Sequence, residues 1–421
     1  MVRLLCWFVH KHLEFREPEL RALCEMHGVP LQLAPPVELE PEPEPDAGAP
    51  PQSRGTATAL PPDSVLRLAD FPDEDTAARI GSRAVLLRSV LEIWGCGTTY
   101  EECVAAAVAY PAAKKEPYLD STFKVRVDAF GKHISQKEQL ERVNRFLPVG
   151  LRGKVRLKHP EQVFWIVEDY GGPSSTRDTP QQIYFCRQVC ESGRKAVDTY
   201  DLKKRRYLGP TSMDAELALI AANMAHARAG TLMLDPFAGT GSMMVAAAHF
   251  GAETWGGEIH PPMLRGKRKG LNVRSNYTQY KLQMPQLFVA DFSHSPWVAG
   301  RGMFDSIICD PPYGIREGSR QINVRAQTTI DDDTAAAPPP TRDDGGTVAS
   351  GGKRERLAVV DALQNLLDFA AGSLVVGGRL VYWLPTTMDY LPEDCPTHPL
   401  LEMVANCESA LLICLPLATS C

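Results

Sequence analysis

The spacing of apolar positions changes character several times along the chain. VRLLCWFV (2–9) has the β-branched and aromatic content of a strand. A helix over about Pro18–His27 follows, with proline in its first turn and Gly28 as its stop. From Pro35 to Pro62 large apolar residues give way to Pro, Glu, Ala and Gly, so 35–62 reads as a disordered insertion. Helical spacing resumes over Asp75–Trp94 and ends at the glycines of GCG. Next, FKVRVDAF (123–130) alternates as a strand and SQKEQLERVNRF (135–146) returns to helical spacing, while KVRLKHP (154–160) and VFWIVEDY (163–170) predict two more strands.

Beyond residue 200 strands alternate with helices, the pattern of an α/β fold with a mostly parallel sheet. A helix-start signal, Thr211-x-x-Asp214, opens the apolar helical run AELALIAANMA. TLMLD (231–235) is a strand, PFAGTGS turns, and MMVAAAHF is a helix; ETWGGE, LFVAD and FDSIICD are further strands. Each strand finishes in a carboxylate: Asp235, Glu258, Asp291 and Asp310. In open α/β sheets ligands bind beyond the strand C-termini, so these acids are predicted to converge. Residues 321–354, with DDDTAAAPPP, form a second low-complexity insertion.

A chain of 421 residues is long enough for two or three domains, and 44% hydrophobic with 23% charged residues is ordinary for a globular protein. The net charge of −6 argues against a uniformly basic nucleic-acid binder, but it averages opposed regions. Residues 33–75 carry 2 basic against 10 acidic side chains, and residues 114–206 carry 20 against 12. At the end of the basic stretch, Lys203, Lys204, Arg205 and Arg206 form a run suited to phosphate contact. The eleven cysteines lack metal-ligand spacing, so no metal is expected, and they read as reduced thiols. LLCWFV is too short for a membrane span and has no cleavage site after it. Cytosol or nucleus follows, with the cytoplasm the expected compartment.

Gly239 and Gly241 bring bare backbone close to a ligand, and Glu258 lies 19 residues after Gly239, suiting a ribose diol. A dinucleotide fingerprint would need a small residue where Met244 stands, and strand-end acids repel a pyrophosphate. Ribose, adenine and a cation without phosphate describe S-adenosylmethionine. Asp291 would accept from the adenine amine and Asp235 would lie near the methionine ammonium; Phe237, in the same turn, is counted with the cofactor site. CDPPYGIRE (309–317) supplies the acceptor chemistry. Pro311 and Pro312 have no N–H, so beyond Asp310 the chain offers only oxygen acceptors, suited to grip the hydrogens of an exocyclic amine. Tyr313 offers a face for a flipped base.

The block FKVRVDAFGKHISQKEQLERVNRF with GKVRLKHPEQVFWIVED resembles the THUMP module of RNA-modifying enzymes. LDPFAGTGS followed by CDPPYGIRE resembles Rossmann-like class I amino-methyltransferases, which implies an open, mostly parallel seven-stranded sheet. More closely, SRAVLLRSVLEIWG, KKRRYLGPTSMDAELALIAANMA, AHFGA and DPPYGIREGSR resemble, in order, segments of the eukaryotic tRNA guanine-N2 methyltransferases acting at position 10. The resemblance implies a tRNA substrate, a small zinc-binding activator subunit as heterodimer partner, an amine site of Asp310–Tyr313, and Thr211 and Ser212 lining the active cleft. His260 departs from it, standing where a second acid is usual. The implied domains are 1–34 with 63–112 as a small α/β N-terminal domain, 113–200 as the THUMP-like RNA-binding domain, and 201–421 as the methyltransferase domain. ESALLICLPLATSC stands where the family continues into a basic strand, leaving completion of the last hairpin open. The same acceptor chemistry would serve a protein glutamine or a DNA or RNA adenine, and a non-catalytic RNA-binding scaffold could keep the fold.

Overall fold

The computed structural model describes residues 1–33, 64–130, 132–171, 176–266, 268–292, 300, 302–311, 351–384, 395–407 and 412–417. The insertion at 35–62 lies outside them, as do Pro312, Tyr313 and all of 321–350. The chain divides into two compact units, Met1–Asp198 and Thr199–Cys421.

The first unit contains β1 (Val2–Phe8), α1 (Arg16–Met26), β2 (Gln32–Leu33), β3 (Leu66–Phe71), α2 (Glu74–Arg83) and β4 (Leu87–Gly97). It continues with α3 (Tyr100–Ala109), α4 (Ala112–Leu119), β5 (Phe123–Phe130), α5 (Gln136–Arg145), β6 (Gln162–Asp169) and β7 (Gln182–Glu191), and α6 (Lys195–Thr199) follows at the division. The seven strands form one sheet in the order β2-β3-β1-β4-β7-β6-β5, so the expected boundary near residue 112 falls inside a single sheet.

Two sequence readings need correction here. The single helix over Asp75–Trp94 is α2 followed by β4. Asp73 caps α2 by accepting from the Thr76 N–H at 2.7 Å, and Ala84 leaves the helix in extended conformation. β4 lies between β1 and β7 with Leu87, Val90, Leu91 and Trp94 all buried. A strand covered on both faces reads as a continuous apolar run, which periodicity does not separate from a helix. KVRLKHP is not a strand either: only Val155 bridges, to Phe123, and Lys154, Arg156 and Lys158 are exposed. The remaining strand of the strand-helix-strand-strand pattern is β7, QIYFCRQVCE.

Alternation along β6 serves both faces of the sheet. Phe164 and Ile166 join Trp94, Phe146 and Phe185 in one core cluster, while Trp165 and Val167 join Leu5, Trp7, Leu91 and Tyr184 in another. Phe146 and Phe185 stack at 4.5 Å between ring centroids. Glu92 of β4 faces Arg187 of β7 in register. Arg187 donates to Glu92 at 2.7 Å and to Glu74 at 2.6 Å, and its guanidinium lies 4.0 Å from the Tyr118 ring centroid. Arg142 pairs with buried Glu168 at 2.6 Å, and Arg152 with Asp120 at 2.8 Å. Arg142 and Arg187 are thus taken up in pairs with partly or fully buried acids, whereas the Arg152 pair is exposed.

The second unit is the expected α/β sheet. Its elements are α7 (Ala215–Met224), β8 (Leu232–Asp235), α8 (Ser242–His249), β9 (Glu253–Glu258), α9 (Pro261–Arg265), α10 (Val273–Tyr280) and β10 (Gln286–Val289). β11 (Phe304–Cys309), α11 (Gly351–Ser373), β12 (Leu374–Trp383), β13 (Ala405–Cys407) and β14 (Leu412–Pro416) complete it. Strand order is β10-β9-β8-β11-β12-β14-β13, with parallel pairing from β10 to β12 and antiparallel pairing of β14 to β12 and β13. ESALLICLPLATSC therefore supplies a strand of the sheet. α11 already includes 351–354, which the sequence assigns to the insertion, and α7 is capped by Asp214 rather than Thr211. No described helix is long and apolar enough to cross a membrane.

The Arg187 cluster generates a stability prediction. Arg187→Met leaves Glu92 buried without its counter-charge, a change that typically costs about 3–5 kcal/mol. Urea unfolding of the variant should show a midpoint well below wild type, and an unchanged midpoint would show that the pair contributes nothing net.

Candidate active site

Adjacent strands β10, β9, β8 and β11 run parallel, so their C-terminal ends lie along one edge of the sheet. The order reverses at β8: β9 and β10 lie to one side, β11 and β12 to the other. That reversal is where open sheets leave a ligand crevice. Asp235 and Glu258 are the last residues of β8 and β9; Asp310 directly follows β11, and Asp291 comes two residues after β10. The sheet thus brings the four predicted acids to one edge.

Their environments differ. Asp235 is buried, and its Oδ1 accepts from the Phe237 N–H at 3.0 Å. Burial pushes this carboxyl well above the usual range, and the negative charges of Glu258 and Asp310 push it the same way. Asp310 is raised to about 6 by burial. Glu258 is locked by backbone: Oε2 accepts from the Gly239 N–H at 3.0 Å and Oε1 from the His260 N–H at 2.9 Å. Each oxygen keeps a further lone pair for a hydroxyl donor. His260 thus serves through its main chain, which explains why an acid is not needed there.

The turn between β8 and α8 uses two glycines in the left-handed region, with φ of +51° at Gly239 and +82° at Gly241. A side chain at Gly241 would also meet Val273 at 2.9 Å. Met244, the departure from the dinucleotide fingerprint, is buried, and a Cβ at Gly256 of β9 would lie 2.5 Å from its sulfur. The small residue that lets helix and strand approach has moved from α8 to β9. The Phe237 ring packs 4.9 Å from Phe292, the residue after Asp291. Phe292 escaped the sequence reading because one aromatic after a strand carries no periodic signal.

Ser212 reaches the same turn, its Oγ 2.8 Å from Thr240 Oγ1 and accepting from the Gly209 N–H at 3.0 Å. Thr211 is exposed. The basic run is split: Lys203, Lys204 and Arg206 are exposed, but Arg205 is buried and donates to Ser242 Oγ at 2.8 Å. Arg205 is therefore not part of an open phosphate-binding surface. Pro311 is described and buried, and Pro312 and Tyr313 lie outside the described residues. Among the described residues no cluster of His, Cys, Asp and Glu could hold a metal ion.

Comparison with known proteins gives this geometry a context. The family described as "Tmrp11 THUMP N-terminal domain" matches residues 59–194, and "RMKL-like, methyltransferase domain" matches 203–327. The human tRNA (guanine(10)-N(2))-methyltransferase TRMT11 is 36% identical over 97% of this chain and 85% of its own. The tRNA (guanine(10)-N(2))-methyltransferase of Saccharomyces cerevisiae is 32% identical over 97% of this chain and 90% of its own. Among solved structures, TrmN from Thermus thermophilus covers 99% of this chain and 100% of its own at 18% identity, with a TM-score of 0.43, too low to bear on the argument. With identity above 30% along nearly its whole length, the chain belongs to the tRNA (guanine(10)-N(2))-methyltransferase family.

Proposed function

We infer that this chain is the catalytic subunit of a tRNA methyltransferase that places a methyl group on the N2 amine of guanosine 10, with S-adenosylmethionine as donor. The observation that carries the reading is Asp310, a partly buried carboxylate directly after β11, the strand paired with the one that Asp235 ends, and followed by a proline.

The donor set fits the cofactor. Glu258, held by two backbone N–H groups, would take the ribose hydroxyls; Asp291, next to the Phe237–Phe292 ring pair, would take the adenine amine. Asp235 would face the cationic end, where a positive charge offsets the burial and the carboxylate repulsion that raise its proton affinity. When bound, S-adenosylmethionine supplies an electrophilic methyl group.

The remaining chemistry belongs to the chain. Guanine's N2 lone pair is delocalised into the ring, which makes it a poor nucleophile. Asp310 and the carbonyls of the following proline segment accept its N–H bonds, and that grip favours the localised lone pair. With its lone pair localised, N2 would be the nucleophile toward the methyl group the cofactor would supply, and it would then have a proton to lose. A carboxylate raised to about 6 is ionised at neutral pH and is basic enough to receive that proton. Positioning and charge supply most of the rate. N2 lies on the Watson–Crick edge, so the base must leave its pair.

Unmodified tRNA incubated with S-adenosylmethionine and the chain, with and without the small zinc-binding activator subunit, should yield N2-methylguanosine when the activator is present. Nucleoside mass spectrometry reads the product. N6-methyladenosine or methylated protein would overturn the substrate assignment, and no product in either mixture would favour the scaffold.

The two carboxylate roles separate by mutation. Asp310→Asn should abolish methyl transfer while S-adenosylhomocysteine still binds, whereas Glu258→Gln should weaken that binding by about tenfold or more. Wild-type activity should fall as pH drops through about 6, as Asp310 takes up its proton. Stability runs the other way. A carboxyl raised in the folded state loses stability as pH rises from its unfolded pKa toward about 6. Asp310→Asn should therefore be the more stable protein at neutral pH, by at most about 3 kcal/mol, with the gain shrinking toward pH 4. Melting curves at several pH values check the sign.

Lys203, Lys204 and Arg206 are the accessible cations of the run. Changing these three to Glu should weaken tRNA binding and flatten its salt dependence without changing the methylated nucleotide, because phosphate contacts position and do not specify. Filter binding across a salt series reads the effect, and wild-type affinity in the variant would remove the run from the interface.

A further inference from the structure

The segment Leu202–Ser212, which precedes α7, is fastened to three helices and to the glycine turn. Gln279 of α10 accepts from the Arg206 N–H at 3.0 Å and donates to the Lys204 carbonyl at 2.7 Å. One helical turn away, buried Asn276 accepts from the Tyr207 N–H at 3.0 Å and donates to the Tyr207 carbonyl at 2.9 Å. The Tyr207 hydroxyl donates to the Met263 carbonyl of α9 at 2.8 Å. Arg205 reaches Ser242, the first residue of α8, and Ser212 reaches Thr240, both at 2.8 Å. The neighbours on both sides of Gly241 are therefore held by side chains of one segment.

Arg205 is an expensive way to make such a contact. It is 5% exposed, its Nε finds no partner, and it lies at the N-terminal end of α8, where the helix dipole disfavours a cation. Burial lowers its proton affinity. An apolar side chain of similar volume would fill the space without desolvating a charge, so packing alone does not account for the guanidinium. What the guanidinium adds is direction, since its planar fork fixes the hydroxyl to which it donates. The turn needs that direction: Gly239 and Gly241 both sit at positive φ, where glycine has the greatest freedom to leave.

We propose that Arg205 is a positioning residue for methyl transfer: by fixing Ser242, together with Ser212 on Thr240, it holds the Gly239–Gly241 turn in the shape that receives the cofactor. The inference rests on the reading of this turn as the S-adenosylmethionine site.

The test uses the full chain with its activator subunit and compares wild type with Arg205→Met, Ser242→Ala, the double variant and Arg205→Lys. Calorimetry gives S-adenosylhomocysteine affinity, initial rates give KM for S-adenosylmethionine and kcat, and filter binding gives tRNA affinity. Arg205→Met and Ser242→Ala should each raise the cofactor Kd and KM about tenfold, the scale of a lost charge-assisted hydrogen bond. The change in kcat should be much smaller and tRNA affinity should be unchanged. The double variant should be no worse than Arg205→Met, because the two groups act as one contact. Arg205→Lys, which keeps a donor, should recover part of the loss. Additive losses in the double variant, or unchanged cofactor affinity in Ser242→Ala, would overturn the proposal. Lost tRNA affinity with intact cofactor binding would instead make Arg205 an RNA contact. Should Arg205→Met fail to fold, Ser242→Ala decides alone. A wild-type protein that binds no S-adenosylhomocysteine overturns the cofactor assignment, and this inference with it.

Discussion

Carboxylates withdrawn from water at one edge of a sheet are the constraint around which the second unit is organised. Asp235 and Asp310 terminate neighbouring strands, both are held above the usual carboxylate range by burial, and Asp235 also feels Glu258 and Asp310. A fold that only had to be stable would not put these groups together, since burial disfavours the ionised forms of Asp235 and Asp310 and the charges of Glu258 and Asp310 add to it at Asp235. The arrangement becomes favourable when something positive and rich in N–H and O–H donors enters. A sulfonium with an ammonium, two ribose hydroxyls and an adenine amine meets that description, and a pyrophosphate does not.

Backbone carries the rest of the site. Glu258 is held in place by the amides of Gly239 and His260, so the position of its carboxylate is set by main chain rather than by the side chain at 260. Close packing of α8 on β9 is likewise a shared property: Gly256 gives the space that Met244 takes. Reading residue by residue against a fingerprint marks Met244 as a fault, whereas the pair shows the same packing achieved from the opposite side.

This contrast explains what the sequence made legible. Strands β8, β9 and β11 were readable because each couples an apolar run to a terminal acid, and glycines at 239 and 241 mark a turn that needs positive φ. β4 was misread because full burial erases the period-two signal. KVRLKHP has a strand's alternation, but Lys154, Arg156 and Lys158 remain exposed and only Val155 pairs. Arg205 was hidden inside a run of four cations, where composition cannot say which side chain turns inward. Its neighbours Asn276 and Gln279 hold that information, and they lie some seventy residues away.

The charge distribution then has a single physical reading. A crevice of acids repels RNA phosphates, yet the proposed substrate is a polyanion whose reacting atom must reach Asp310. Attraction has to come from cations outside the crevice, and within the second unit Lys203, Lys204 and Arg206 are exposed. In the first unit Arg142 and Arg187 are taken up in pairs with partly or fully buried acids, so the exposed cations are fewer than a count of Lys and Arg suggests. What remains exposed includes Lys154, Arg156 and Lys158, in the very stretch that fails to join the sheet. Staying out of the sheet leaves these three cations together on one short exposed segment. A neutral base separated from its phosphates can enter an acidic crevice that the backbone itself cannot, so flipping the nucleotide serves electrostatics as much as access to the amine.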